Sequence, residues 1–259
     1  MTEALESLLH ISQTGLAVGF VVFLRVGAAM AVMPAFGERS IPERVRLALA
    51  LAFTVIVAPA VADRITPALG SGSGLVLLLF GEVVAGLALG LALRLFVLAL
   101  QIAGSVAAQS TSLSQIFGTA ALEPLPAIGH VMVISGLALA VMTGLHLRVA
   151  EALIGSYSAF PPGRIPTPGI IADWGLLRVA QAFSLAFTLA VPFVIASFIY
   201  NLALGVINKA MPQLMVAFVG APAITAGGLV LMFLTLPILL SVWADGLHRF
   251  LANPYGGGG

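Results

Sequence analysis

Six long apolar stretches take up most of this 259-residue chain, at roughly 11–36, 47–62, 75–100, 127–154, 174–207 and 214–251. A bilayer core asks for ~20 consecutive apolar residues per helix, and four or five of the stretches are long enough to span one. The charge excludes a soluble globule. Only 8% of residues are Asp, Glu, Lys or Arg against 60% hydrophobic, and the mean hydropathy is +1.13. Soluble domains carry roughly 25% charge because their surface faces water. This chain belongs in lipid, against lipid, or inside an assembly of similar subunits.

The second stretch is short, and the last two exceed one plain span. Pro59, Pro192, Pro222 and Pro237 lie within or near the ends of the stretches. Each removes a backbone donor and crowds the preceding turn. Kinks or breaks are expected there, with the longest stretches folded as bent hairpins. GSGSG at 70–74 and FPPGRIPTPG at 160–169 are connectors that no helix should cross. With no internal repeat visible, one all-α membrane domain of helical hairpins is expected over 1–252. NPYGGGG at 253–259 is expected to be a disordered tail or linker.

Charge asymmetry does not orient the spans. One side would take Arg39, Arg44, Arg46 and Lys209, the other Arg64, Arg148, Arg164, Arg178 and Arg249, which is too even a division for the positive-inside rule. The start, MTEALESLLH, has two acids and no Lys or Arg precedes Arg25. No cleaved signal peptide is expected from it.

Chemistry is sparse. The absence of cysteine excludes disulfides, thiolate zinc sites and iron–sulfur clusters. Lys209 is the only lysine and follows Asn208, so no phosphate-binding P-loop exists. His10, His130, His146 and His248 are scattered without metal-ligand spacing. A net charge of +1 offers no stripe for nucleic acid. Neither an enzyme nor a cofactor or metal site is expected.

Three charges sit inside apolar stretches: Arg25, Glu82 and Arg94. Each would cost ~2.5–3.5 kcal/mol at a bilayer centre. The arginines are long enough to snorkel to the interface, and that is the favoured placement for them. Glu82 is too short for that and should face a partner, in this chain or a neighbour. Glu82, Gly86 and Gly90 recur every fourth residue, with small residues that let another helix approach. With the two arginines they are the candidate inter-helix or inter-subunit contacts. On that reading Glu82→Gln should weaken assembly more than folding of the isolated chain. QSTSLSQIFG at 109–118 is polar but uncharged. It suits a water-lined surface, and an ordinary interfacial loop equally.

Charge concentrates instead in PAFGERSIPERVRLALALAF, residues 34–53, where Glu38, Arg39, Glu43, Arg44 and Arg46 hold nearly a quarter of the total. This stretch resembles the hallmark of the FliR family, membrane subunits of the flagellar, type III secretion protein export gate. Pro34, Phe36, Gly37, Arg39, Pro42, Arg44, Val45 and Arg46 fit its Pro-x-Phe-Gly-x-Arg and Pro-x-Arg-Val-Arg elements. GEVVAGLALGLALRLF (81–96), LQIAGSVAAQ (100–109), TGLHLRVAEALIGSYSAFPPG (143–163) and LALGVINKAMPQLMVAFVGAP (202–222) resemble further family segments in the same order. The last carries Asn208, Lys209, Pro212 and Gln213 as its signature. Asn201, Lys209 and Met215 depart from the Asp, Arg and Asn frequent in the family.

The resemblance implies a subunit of a helical export gate, assembled with FliP-like and FliQ-like subunits beside FlhB-like and FlhA-like components. It implies passage of unfolded flagellar export substrates, driven from outside this chain. The setting would be the bacterial inner membrane within the flagellar basal body, against lipid and partly protruding above the bilayer plane. The family's pore plug maps by position onto residues 109–122, with Gln109, Ser110, Thr111, Ser112, Ser114, Gln115, Ile116 and Phe117 as candidates. Two alternatives stand beside it: an ion-coupled small-molecule transporter, and the equivalent subunit of a virulence-type secretion system. The first needs converging ionisable residues and broken, repeated helices, which the sequence lacks.

Overall fold

The computed structural model describes residues 2–38, 41–70, 74–111, 127–164, 167–211 and 216–256. Among them are seven helices and no strand: α1 (Thr2–Val32), α2 (Glu43–Gly70), α3 (Leu75–Thr111), α4 (Ala127–Met142), α5 (Leu145–Ala159), α6 (Pro168–Ala210) and α7 (Val216–Ala252). Five are long and apolar enough to cross a membrane, and α4 with α5 make a sixth span if the bent pair counts as one. The fold is all-α and membrane-type.

The expected bent hairpins are absent. α6 is one helix of 43 residues with Pro192 inside it, and α7 continues through Pro237. α2 runs 28 residues through Pro59 and Pro67, well beyond the short stretch at 47–62. The reason is local. In apolar surroundings an unpaired backbone group costs several kcal/mol, so a proline that frees one carbonyl is less costly than a turn that frees many. The chain breaks instead where glycine permits it. The stretch at 127–154 divides into α4 and α5 at Gly144, whose φ of 86° is left-handed, and the two helices bend by 74°. Glycine takes that conformation without a Cβ penalty.

Residues 34–38 end α1 for equally specific reasons. Gly37 N–H donates to the Met33 carbonyl at 2.7 Å, and Ala35 adopts a left-handed φ of 66°. A Cβ on Gly37 would come within 2.8 Å of the Met30, Ala31 and Met33 carbonyls, so only glycine fits. Pro42 then offers its carbonyl to the Val45 and Arg46 N–H groups, opening α2, and Glu43 sits in the favourable first turn. Arg46 reaches back to donate to the Glu38 carbonyl at 3.1 Å. The charge cluster is thus the turn between two apolar helices. Arg39 lies outside the described residues.

The chain gathers into two compact units: 1–95, 141–179 and 247–259 in the first, 96–140 and 180–246 in the second. In the first, α1 turns one stripe inward, Val18, Val21, Val22, Arg25, Val26, Ala29 and Met30, spaced by three and four. Phe53, Val57, Val61 and Ile65 form the inward row of α2. In the second, buried Trp243 donates its Nε1–H to the Phe96 carbonyl at 2.9 Å. A Cβ on Gly104 there would overlap the Gly129 backbone, which sets how closely α3 and α4 pack.

The expected free tail is docked as far as Gly256. Trp174 Nε1 donates to the Pro254 carbonyl at 3.0 Å and Arg178 Nη2 to the Gly256 carbonyl at 2.7 Å. Between them Tyr255 is half-buried, edge-on to Phe160 at 4.9 Å and stacked on Trp174 at 6.0 Å. Burial pushes the Tyr255 phenol above its ordinary range, opposed only in part by the Arg25 guanidinium, so it docks uncharged. Truncation after Ala252 should remove about 2 kcal/mol and lower the melting temperature of the detergent-solubilised chain by ~4–8 °C. An unchanged melting curve would show that the docked tail contributes nothing.

Candidate functional site

The inward stripe of α1 places an arginine where a valine would be expected. Arg25 is 1% exposed, and so is Glu82 of α3. Its Nε donates to Glu82 Oε2 at 2.8 Å and its Nη2 to Oε1 at 2.9 Å, a side-on bidentate pair. Nη1 donates to Ser156 Oγ at 2.9 Å and Nη2 also to the Phe160 carbonyl at 2.9 Å. Ser156 Oγ donates in turn to the Leu153 carbonyl at 2.6 Å. The Tyr157 ring covers the guanidinium face at 3.6 Å. One side chain of α1 is thereby tied to α3, to α5 and to the residue after α5.

Arg25 therefore does not snorkel to an interface. Two facts override its length: it lies on the buried stripe of α1, and a carboxylate waits on the facing helix. Guanidinium suits this position because its planar fork matches a carboxylate and its remaining N–H groups still reach acceptors. With both carboxylate oxygens engaged, Glu82 is not free to act as a base. The node clamps helices.

The rest of the four-residue row on α3 also meets α1. A Cβ on Gly86 would overlap the Arg25 carbonyl, and one on Gly90 would come within 2.6 Å of the Ala29 carbonyl. Arg94, half-buried, points Nη1 at the Val32 carbonyl, 3.5 Å away at the end of α1. Cations are favoured at that end of a helix. The sequence expectation of a partner in this chain or a neighbour resolves to this chain for Glu82.

The uncharged polar segment is partly helix. Gln109, Ser110 and Thr111 complete α3 rather than starting a loop; Gln109 is exposed and Ser110 Oγ donates to the Val106 carbonyl at 2.7 Å. Ser112, Ser114, Gln115, Ile116 and Phe117 lie outside the described residues. Ser110 borders an apolar cavity of about 290 Å³ in the second unit, with Phe193, Ser197, Tyr200 and Leu231. In the C-terminal signature, Asn208 and Lys209 are exposed at the end of α6, while Pro212 and Gln213 are outside the described residues. Of the turn signature, Pro34 is buried and Arg44 exposed. Ser156, Tyr157 and Phe160 belong to the family-like SYSAFPPG segment, but nothing in their local pattern marks them as partners of a distant arginine.

Residues 16–250 match the sequence model of the family described as bacterial export proteins, family 1. The chain is 35% identical over 236 residues to the flagellar biosynthetic protein FliR of Caulobacter vibrioides, covering 90% of this chain and 94% of that one. It is 29% identical to the FliR protein of Escherichia coli, over 83% of each chain. With that of Bacillus subtilis the identity is 26%, over 85% of this chain and 86% of the other.

Replacing Glu82 by Gln leaves the Arg25 charge buried without a counter-charge, at a cost of about 3–5 kcal/mol. Because the partner is internal, the loss should appear in the stability of the isolated chain, before any question of assembly. Arg25→Met with Glu82→Met should restore much of it, since no lone charge remains. Thermal melts in detergent decide the matter; a double variant as unstable as the two singles combined would show that the pair is not coupled.

Proposed function

The chain belongs to the bacterial export proteins, family 1, and on that premise we propose that it is a subunit of the flagellar type III protein export gate. As a member it is a flagellar export component with several apolar helices, an inner-membrane protein. In our reading it joins FliP-like and FliQ-like subunits, beside FlhB-like and FlhA-like components in the basal body. Together they line and close the channel through which unfolded flagellar proteins pass.

One observation carries the subunit reading. α6 runs 43 residues, ~64 Å at the helical rise. Large apolar side chains stay exposed along it from Ile170 to Ile207. A hydrocarbon core is ~30 Å thick, and a tilt of ~40° lengthens the path only to ~40 Å. Lipid cannot cover all of that surface, and neighbouring protein is what remains. The buried charges support the same reading. A coupled transporter needs ionisable groups free in a mid-membrane cavity, whereas Arg25 and Glu82 are committed to each other.

Residues 109–122 are assigned the plug. They follow the longest run of α3, and their hydroxyls and amides can meet water without holding ions.

Affinity purification of the tagged chain in mild detergent should bring along two other small hydrophobic proteins. A folded monomer that emerges alone and moves its own solute across vesicles would overturn the reading. Cells whose gate carries a deletion of 109–122 should leak small ions. A tight membrane after that deletion would end the plug assignment.

A further inference from the structure

The first unit has an open cleft of about 460 Å³ that borders the clamp at Tyr157 but holds none of its hydrogen-bonded groups. Two arginines line it, Arg64 of α2 and Arg164 of the loop after α5, over apolar walls that include Pro67, Pro161 and Pro162. Both arginines are exposed, and neither is in an ion pair among the described residues. Asp63 precedes Arg64 but points ~100° away round the helix, and it does not line the cleft.

The Arg64 side chain and the Arg164 backbone are held in place before any ligand arrives. Arg64 Nη1 donates to Ser158 Oγ at 2.8 Å, which steers its side chain toward α5. Arg164 stands at the fourth position of a tight turn. Its N–H donates to the Pro161 carbonyl at 3.3 Å, with Pro162 second and Gly163 third at φ 75°. That is a type II turn, in which proline presets one dihedral and glycine accepts the positive one. Its backbone position is fixed by sequence.

The level of the cleft follows from α2. Between Arg46 and Asp63 that helix carries no charge, and Arg64 lies ~27 Å along the axis from Arg46. A hydrocarbon core is ~30 Å thick, so charges spaced this way mark its two faces. Arg64 and Arg164 then stand where phospholipid phosphates stand, above prolines that can meet glycerol and acyl carbons. Arginine pairs are well matched to phosphate oxygens.

We propose that this cleft binds a phosphate group at the membrane face, that of an anionic phospholipid headgroup. The inference is independent of the gate assignment, since it needs only that α2 crosses a bilayer.

The full chain would be reconstituted into vesicles of equal parts phosphatidylglycerol and phosphatidylcholine, re-extracted in mild detergent, and its retained lipid measured by native mass spectrometry. The wild type should retain phosphatidylglycerol preferentially. The double variant Arg64→Gln, Arg164→Gln should retain on the order of tenfold less, the worth of about one charge-assisted hydrogen bond. Arg148→Gln, an exposed arginine elsewhere in the unit, should retain as much as wild type. Arg164→Gln alone breaks none of the hydrogen bonds described above and should already weaken retention, which guards against misfolding of the double variant. Equal retention by wild type and double variant would overturn the proposal. A wild type that keeps no lipid, yet is stabilised by inorganic phosphate where the double variant is not, would assign the cleft to the free anion and overturn the headgroup reading.

Discussion

A charge placed in apolar surroundings must be met, and the Arg25–Glu82 pair is how this chain meets it. Separating one partner from the other in a dry interior costs more than most single contacts contribute, so the helices carrying them are not free to drift. Four hydrogen bonds leave one guanidinium for a carboxylate, a hydroxyl and a backbone carbonyl. They define where α1, α3 and α5 stand relative to one another. Gly86 and Gly90 make that placement possible, because a methyl group at either would collide with the α1 backbone. Clamp and seam are therefore one device. The ion pair specifies the register, and the missing side chains permit the approach.

Backbone satisfaction governs the rest of the first-order architecture. Prolines that would break a helix in water are carried inside α2 and α6, since a turn in lipid strands more donors and acceptors than a proline does. Breaks come where glycine can take a left-handed conformation, at Gly144 and Gly163. Ends come where a glycine must accept crowding by carbonyls, at Gly37. The same economy shapes the tail: the Trp174 indole and the Arg178 guanidinium need acceptors, and Pro254 and Gly256 supply them.

Function follows from what is left outside. With its embedded acid spent internally, the chain presents long apolar helices whose exposed length exceeds a bilayer. A surface of that kind is completed by neighbours, which is what membership of an export family leads one to expect. Among the described residues, exposed charge includes Arg44 in the turn opening α2, and Arg64 and Arg164.

Composition alone determined that this protein is all-α and membrane-type, because charge is too scarce for a soluble surface and the apolar runs have helical length. The four-residue spacing of Glu82, Gly86 and Gly90 already marked a packing face, and the 34–46 segment already carried the family. Those signals are local, spanning two or three helix turns or one loop. The partner of Glu82 lies 57 residues away, and Ser156 and Phe160 lie 131 and 135 from Arg25. No periodicity encodes such a distance, and a snorkelling arginine and a buried one have the same sequence. The unbroken course of α6 and the docked tail were hidden for a related reason. Proline and glycine report what a backbone can do in isolation, while the environment around them sets which choice costs less.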